Sequence, residues 1–408
     1  MLNRIFFFGI FFSVVAGART YNYQEIPVGE RSAGMGMSSM AIEGDTGQMF
    51  TNPATLAHIP FSQFSASVSA YSRIDTRTGE FVSIFESAKD NITRTGFLAI
   101  PSMVGGHLRT KSSWVWGGTA LVPYSYANSG TLPVAPGIGS FEAKDESYWY
   151  GMFLARRVGE KHAFGLSVFY ASRSSTEKFF FVGKPDGVNL RVRYFEEGFG
   201  AGGVVTIFGG TYNYSDTLRF GYSFRPPAIF VGGESFVLDA ANDPAIAARD
   251  YRDRTSFYPL PMRLSFGASW KPRADLTLAS DLHAYTSLKG NLGNGQNAEL
   301  DIDARSIVNF SFGAEYMGWH EIGIRSGFYT NMSAARKVPI AFTTINDKVH
   351  MFGGTLAIVF DKKEGSISLG GYIQGGQGRG PALSEEPVPV PRTNYVYGAV
   401  IGSSYKFL

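Results

Sequence analysis

Side chains able to do covalent chemistry are few and scattered in this sequence. The six histidines, His58, His107, His162, His283, His320 and His350, share no ligand spacing such as H-E-x-x-H, so no metal site is expected. There is no cysteine, which removes thiol catalysis, disulfides, Cys-based metal centres and a lipoprotein anchor. No G-x-S-x-G elbow occurs. Ser175-Thr176-Glu177-Lys178 matches S-x-x-K only in isolation. Gly34-x-Gly36 lacks the preceding strand and the third glycine of a dinucleotide fingerprint. Neither an enzyme nor a cofactor is therefore expected. The formal charge is only +3 and no basic run stands out, so nucleic acid is not expected as a partner.

What remains is the chemistry of recognition. Arg219, Arg225, Arg263 and Arg325 fall among small and polar residues at alternate positions. In dry surroundings an Arg can hold a carboxylate through two parallel hydrogen bonds. The competing expectation is an internal salt-bridge network with Asp281, Glu315 and Glu321. A second candidate is apolar. Phe179-Phe180-Phe181-Val182, Ile229-Phe230-Val231 and Phe236-Val237-Leu238 lie in stretches read as external loops. Contiguous apolar residues there suggest a binding groove built on Phe179, Phe180, Phe181, Ile229, Phe230 and Phe236. Such a groove would take an acyl chain out of water at about 0.8 kcal/mol per methylene. The plainer expectation is that these residues extend strands above a membrane or belong to an aromatic girdle.

The elements that would position such groups are strands. Met262, Leu264, Phe266, Ala268 and Trp270 alternate with Arg263, Ser265, Gly267, Ser269 and Lys271. Leu218, Phe220, Tyr222 and Phe224 oppose Arg219, Gly221, Ser223 and Arg225, and the same period returns at 162–172 and 395–407. Period two with one apolar face is the signature of a sheet, because successive side chains point to opposite sides. No helical signal covers the apolar faces, so lipid is the expected cover. A sheet in hydrocarbon must close, since an open edge would leave backbone groups unpaired. Short turns near 159–161, 213–216, 272–275, 318–320 and 361–364 alternate with long stretches at 74–93, 126–146, 174–199, 226–258, 287–306, 331–349 and 377–392. That is the outer-membrane pattern, and it gives about fourteen strands with both termini on the periplasmic side. Aromatic residues at 15%, charged residues at 17% and 49 glycines suit a barrel facing lipid outside and packing tightly inside.

The first residues read as a secretory signal. Arg4 precedes the apolar run Ile5 to Val15, and Ala16-Gly17-Ala18 is a small-x-small cleavage site. The run is too short to span a core of about 30 Å, which needs roughly 20 apolar residues. Residues 1–18 are thus expected to be removed, placing the protein in a bacterial outer membrane. Residues 19–61 lack alternation and are rich in Gly, Met and Ser. They are either a disordered lead or a plug folded inside the barrel, and the Asn52-Pro53-Ala54 turn with its scattered methionines favours the plug. The barrel itself is expected over 62–408.

At these residues the chain resembles the outer-membrane long-chain fatty-acid and hydrocarbon transporters of the FadL/TodX family. Ser32-Ala33-Gly34-Met35-Gly36, Asp45 and Phe50-Thr51-Asn52-Pro53-Ala54-Thr55-Leu56-Ala57 look like that family's plug, whose hallmark is Asn-Pro-Ala. Ile100-Pro101-Ser102, Val122-Pro123-Tyr124, Leu218 to Pro226, Leu260 to Gly267 and Phe312 to Tyr316 resemble its strands in order and spacing. The chain departs from the pattern in Glu43-Gly44-Asp45 and in Thr55, where the family has a glycine. The resemblance implies an all-β, transmembrane antiparallel barrel of fourteen strands with an N-terminal plug, or hatch, in the lumen. It implies passive, plug-gated transport of hydrophobic small molecules captured at external loops. The expected partners are that cargo, outer-membrane lipids and the barrel-assembly machinery. The alternatives are a structural or secretion-associated barrel whose loops bind a protein, and a wide aqueous porin, against which the plug-like segment argues.

Overall fold

The computed structural model describes residues 21–23, 28–44, 46–78, 81–82, 87–88, 93–134, 137–184, 188–244, 247–255, 257–292, 301–336, 348–380 and 389–407. The expected signal segment 1–18 lies outside the described residues, as do positions 293–300, 337–347 and 381–388 of the longer connections.

Fourteen antiparallel strands close into one barrel. They are β1 Ser62–Thr78, β2 Thr93–Arg109, β3 Trp114–Val134, β4 Gly137–Val158, β5 His162–Gly183, β6 Arg191–Asn213, β7 Leu218–Arg225, β8 Arg263–Arg273, β9 Leu276–Tyr285, β10 Ile307–Trp319, β11 Ile322–Asn331, β12 Lys348–Lys362, β13 Gly365–Gly380 and β14 Val390–Phe407. The ring is sealed where β1 pairs with β14, from Ser62 opposite Phe407 to Thr78 opposite Arg392. Closure satisfies the backbone groups that an open edge would leave bare in lipid.

The alternation read from the sequence is the barrel's inside and outside. On β8, Leu264, Phe266 and Trp270 are exposed while Arg263, Ser265 and Ser269 are buried. On β5, Phe164, Leu166, Val168 and Tyr170 face outward, and Ala163, Ser167, Phe169 and Ala171 face inward. A large exposed apolar surface on a ring of strands is what a hydrocarbon environment requires.

The wall is uneven in height. Strands β3 to β6 run 21, 22, 22 and 23 residues, whereas a tilted strand needs only about 9–11 residues to span. On the outer face of β4 and β5 the unbroken apolar run stops at Tyr148 and Tyr170; Glu146, Lys144, Glu142 and Lys178 follow, with Ile138 and Phe180 beyond them. Charged outward positions, tied by ion pairs such as Lys144–Glu146 at 3.0 Å, mark where strand leaves lipid for water. The stretches 126–134, 137–146 and 174–183, read from the sequence as loop, are therefore strand. The chain also breaks after β7 at Pro226 and Pro227, which cannot both keep a ladder going. It resumes along β6 as a strand over 229–241 and returns as a second over 249–254. Much of the supposed loop 226–258 is thus a hairpin raising the same side of the wall.

Residues 28–44 and 46–61 pack against the inner faces of the strands. A short helix, α1 Arg31–Gly34, lies by β11, β12 and β13, and two 3-10 turns, Thr46–Phe50 and Pro53–His58, lie by β2 to β6. Contact with opposite sides of the ring places this segment across the lumen. The approach is close. A Cβ at Gly221 on β7 would fall on the Met40 carbonyl, and Gly36 adopts φ 62° against the Phe328 backbone. Only glycine serves at both places.

Candidate functional site

Asn52 fastens the segment to the wall. It is fully buried and sits at the N-cap of the second 3-10 turn, with Pro53 in the first position. Its Oδ1 accepts from the Ala54 amide at 3.2 Å, and its Nδ2 donates to the carbonyls of Met40 at 2.6 Å and Gly210 at 3.1 Å. The Asn52-Pro53-Ala54 stretch thereby ties its own turn, an earlier turn and β6 together. Asp281 on β9 makes a second tie, accepting from the amides of Ser39 at 2.6 Å and Met40 at 3.0 Å.

Ion pairs make a third. Arg219 donates to Glu43 at 2.8 Å and to Asn213 at 2.6 Å. Burial raises the Glu43 pKa, but the Arg219 guanidinium outweighs it and holds the carboxyl below its ordinary value. Arg325 pairs with Glu30 at 2.9 Å and with Glu315 at 2.6 Å, and Glu315 is also bound by Arg31. His58 donates to or accepts from Thr211 at 2.7 Å, and burial pushes its pKa down to about 3, so it stays neutral. Two of the four arginines singled out in the sequence, Arg219 and Arg325, are therefore structural. Of their expected partners Glu315 is one, Asp281 is occupied by backbone amides, and Glu321 pairs at the surface with Lys362 at 3.7 Å.

Arg225 and Arg263 are different. They are directly opposite on β7 and β8, and each is 3% exposed. Arg225 donates to the Pro261 carbonyl at 3.3 Å and lies 6.0 Å from the Tyr285 ring. Arg263 donates to the Phe50 carbonyl at 3.0 Å and lies 5.5 Å from the Phe50 ring. Neither meets a carboxylate among the described residues, and the Nε of each is buried without a hydrogen-bond acceptor. The Tyr23 hydroxyl is likewise buried and without an acceptor among the described residues. Burial raises its pKa, which keeps it a neutral donor.

Arg225 and Tyr23 line a cavity of about 60 Å³. Phe50 and Trp149, T-shaped at 5.2 Å, form part of its wall, with Tyr258, Pro259 and Leu260. The Trp149 Nε1 donates to Ser147, 3.0 Å away, which also meets the Tyr258 hydroxyl at 3.2 Å. Arg173, on the far side, is held by both oxygens of Asp145 at 3.0 and 2.7 Å. The cavity thus presents apolar rings together with unpaired donors. Like charges directly across a ladder repel, and buried donors without acceptors cost about 1–3 kcal/mol each. An anionic oxygen entering here would relieve both. Tyr23, Trp149 and Tyr258 were not singled out in the sequence, where only the clustered Tyr258-Pro259-Leu260-Pro261 could have drawn notice.

The six candidate groove residues do not share a surface. Phe179, Phe180 and Phe181 belong to β5, and Ile229, Phe230 and Phe236 to the strand over 229–241, not to loops. Phe179 and Phe181 face inward, where Phe179 packs with Phe195 and Val237. Phe230 also turns inward, onto the main interior cluster. Phe180 and Ile229 are exposed on the outside, as is the side of the strand carrying Phe236. Strand extension above the membrane, the plainer expectation, is what these residues form.

No known family model matches the chain, and no curated protein does. Solved structures do. A FadL homologue from Pseudomonas aeruginosa superposes with a TM-score of 0.74 at 11% identity, covering 95% of this chain and 100% of the other. The toluene transporter TodX of Pseudomonas putida gives 0.68 at 16% identity, covering 94% and 99%. The toluene transporter TbuX of Ralstonia pickettii gives 0.62 at 16%, covering 95% and 99%. The chain has the fold of these barrels over nearly its whole length.

Proposed function

We propose that this chain is an outer-membrane channel that passes hydrophobic small molecules bearing an acidic head, with long-chain fatty acids as the class. Residues 1–18 are the export signal, 19–61 a plug that closes the lumen, and 62–408 the barrel, with passive diffusion following plug displacement. Membrane lipids surround it and the barrel-assembly machinery inserts it. The observation that carries the reading is that Nε of Arg225, Nε of Arg263 and the Tyr23 hydroxyl, buried beside an aromatic cavity, have no hydrogen-bond acceptor among the described residues. The toluene transporters of this fold carry a neutral cargo that would leave such donors unsatisfied. A carboxylate would accept from the paired guanidiniums while the rings hold the first methylenes. Phe179, Phe181 and Phe230 furnish the apolar approach from outside.

The test compares a long-chain fatty acid with its methyl ester, binding each to the folded protein and to Arg225→Met and Arg263→Met. The acid is expected to bind the parent at least about tenfold more tightly than the ester, since a charged hydrogen bond contributes about 1.5–3 kcal/mol. Each Met variant should erase that preference and leave ester binding unchanged. Equal affinity for acid and ester in the parent would sink the proposal.

A further inference from the structure

The outer face of the barrel carries a group of cations that passage through the lumen does not use. On β12, Val349 and Met351 are buried, while Phe352, Leu356, Ile358 and Phe360 are exposed. Lys348 and His350 share the outward side of the strand with the exposed set, beyond Phe352 and away from the short 361–364 turn. In the ladder, Phe352 and Tyr395 flank Gly375 in one row. His350 is opposite Gln377 in the next outward row, and Lys348 is opposite Arg379 in the row beyond that. Aromatic residues at the edge of an apolar band mark the membrane interface. The cations therefore stand at the level of the outer-leaflet headgroups.

Their neighbours do not neutralise them. Like charges directly opposite in a ladder repel, as Lys348 and Arg379 do. Among the described residues the Lys348 Nζ donates to the Arg336 carbonyl at 3.1 Å, and Arg379 makes no ion pair. Arg305, just before β10, donates from Nη2 to the Ser333 carbonyl at 3.3 Å, and its Nε is buried without an acceptor among the described residues. Arg336 does have a carboxylate, Asp303 at 3.1 Å. On the outer face of β5 and β4, by contrast, Lys178 and Lys144 are each paired, with Glu196 at 3.7 Å and Glu146 at 3.0 Å.

His350 adds a donor. The Ser333 amide can only donate, and it meets Nδ1 at 3.1 Å, so the neutral ring carries its proton on Nε2. That N–H faces Nη2 of Arg305, also a donor, 3.1 Å away. A single anionic oxygen beside them would accept from both.

We propose that Arg305, His350, Lys348 and Arg379 seat the phosphate of an outer-leaflet lipid, with its acyl chains lying down the wall over Phe352 and Ile373. Phosphate presents more anionic oxygens than a carboxylate, which suits donors spread over three segments of chain, and guanidinium matches its geometry. The site rests on placing the barrel in an outer membrane and not on its cargo, so failure of the acid-over-ester preference at Arg225 and Arg263 leaves it standing.

Native mass spectrometry of the full, detergent-folded chain tests this, with dioleoyl phosphatidic acid and dioleoyl phosphatidylcholine as probes. The parent is expected to retain one phosphatidic acid under conditions that strip phosphatidylcholine, whose choline masks the phosphate charge. The double change Lys348→Gln and Arg379→Gln should weaken that retention at least about tenfold, since two charge-assisted contacts are lost. Lys144→Gln, which alters a cation already paired on β4, should bind as the parent does; a loss equal to that of the double variant would mean general surface charge and overturn the site. Inorganic phosphate, which has no acyl chain, should not displace the lipid. Displacement by it at equal concentration would make this a seat for free anions and overturn the lipid assignment. Equal retention of the two lipids by the parent overturns the proposal, as does undiminished retention by a double variant with normal heat-modifiable migration.

Discussion

Replacing Asn52 by Ala isolates the fastening of the plug. The side chain is wholly buried and makes three hydrogen bonds, to Met40, Gly210 and Ala54. Truncation leaves two carbonyls and one amide without partners in a dry interior. At about 1 kcal/mol for each, the seated segment loses roughly 3 kcal/mol relative to a displaced one in which water reaches all three. A factor of ten corresponds to about 1.4 kcal/mol, so the displaced population should rise about 100-fold. The chain has no cysteine, which makes a single reporter thiol unambiguous. Ala57 is fully buried in the same 3-10 turn, and Ala57→Cys would react with a water-soluble thiol reagent only on opening. When reclosing is fast compared with labelling, the rate follows the open population. Labelling should therefore quicken about 100-fold in Asn52→Ala. A barrel that runs normally on a gel yet labels at the parental rate would show that these bonds do not hold the segment.

Two further outcomes follow from the same geometry. Glu43 has its pKa depressed by Arg219, so the ion pair stabilises the seated segment fully above the unfolded-state value of about 4.3 and is lost as pH falls through the folded value. Channel conductance in a planar bilayer should accordingly rise on acidification below about pH 4.3, and Glu43→Gln should flatten that dependence; a parent with constant conductance across the range would refute the link. Phe230→Asp places a charge on the interior cluster and should reduce uptake at low cargo concentration several-fold, whereas Phe180→Asp, exposed on the outer face, should leave uptake unchanged; the reverse ranking in uptake assays would restore an outer groove.

The barrel was legible because lipid imposes a simple rule on each strand it covers. Where one face meets hydrocarbon and the other a packed interior, alternation is strong, and Met262 to Lys271 was assigned to its faces correctly. Above the lipid polar and apolar residues mix on both faces. Glu142 and Lys144 point to water while Asp145 and Arg173 point inward, so the period fades and true strand resembles loop. The run Phe179-Phe180-Phe181 misled for a related reason: neighbours in a strand face opposite ways, so contiguity in sequence is not contiguity on a surface. The arginines were placed on the right face, but their partners were not legible. Glu43 and Glu30 come from the N-terminal segment, far from Arg219 and Arg325 in sequence. Which guanidiniums stay unpaired is decided only when that segment is seated.

The account's central claim is that cargo crosses through the lumen once the N-terminal segment moves aside. A reversible tether tests it most directly. A Cβ built at Gly34 would lie 3.1 Å from that of Ala357 on β12, close to the roughly 3.5–4.5 Å of a disulfide. With Gly34→Cys and Ala357→Cys in liposomes, uptake of a labelled long-chain fatty acid is expected to stop on oxidation and return on reduction. Equal uptake in the oxidised and reduced states, with the tether formed, would contradict the account.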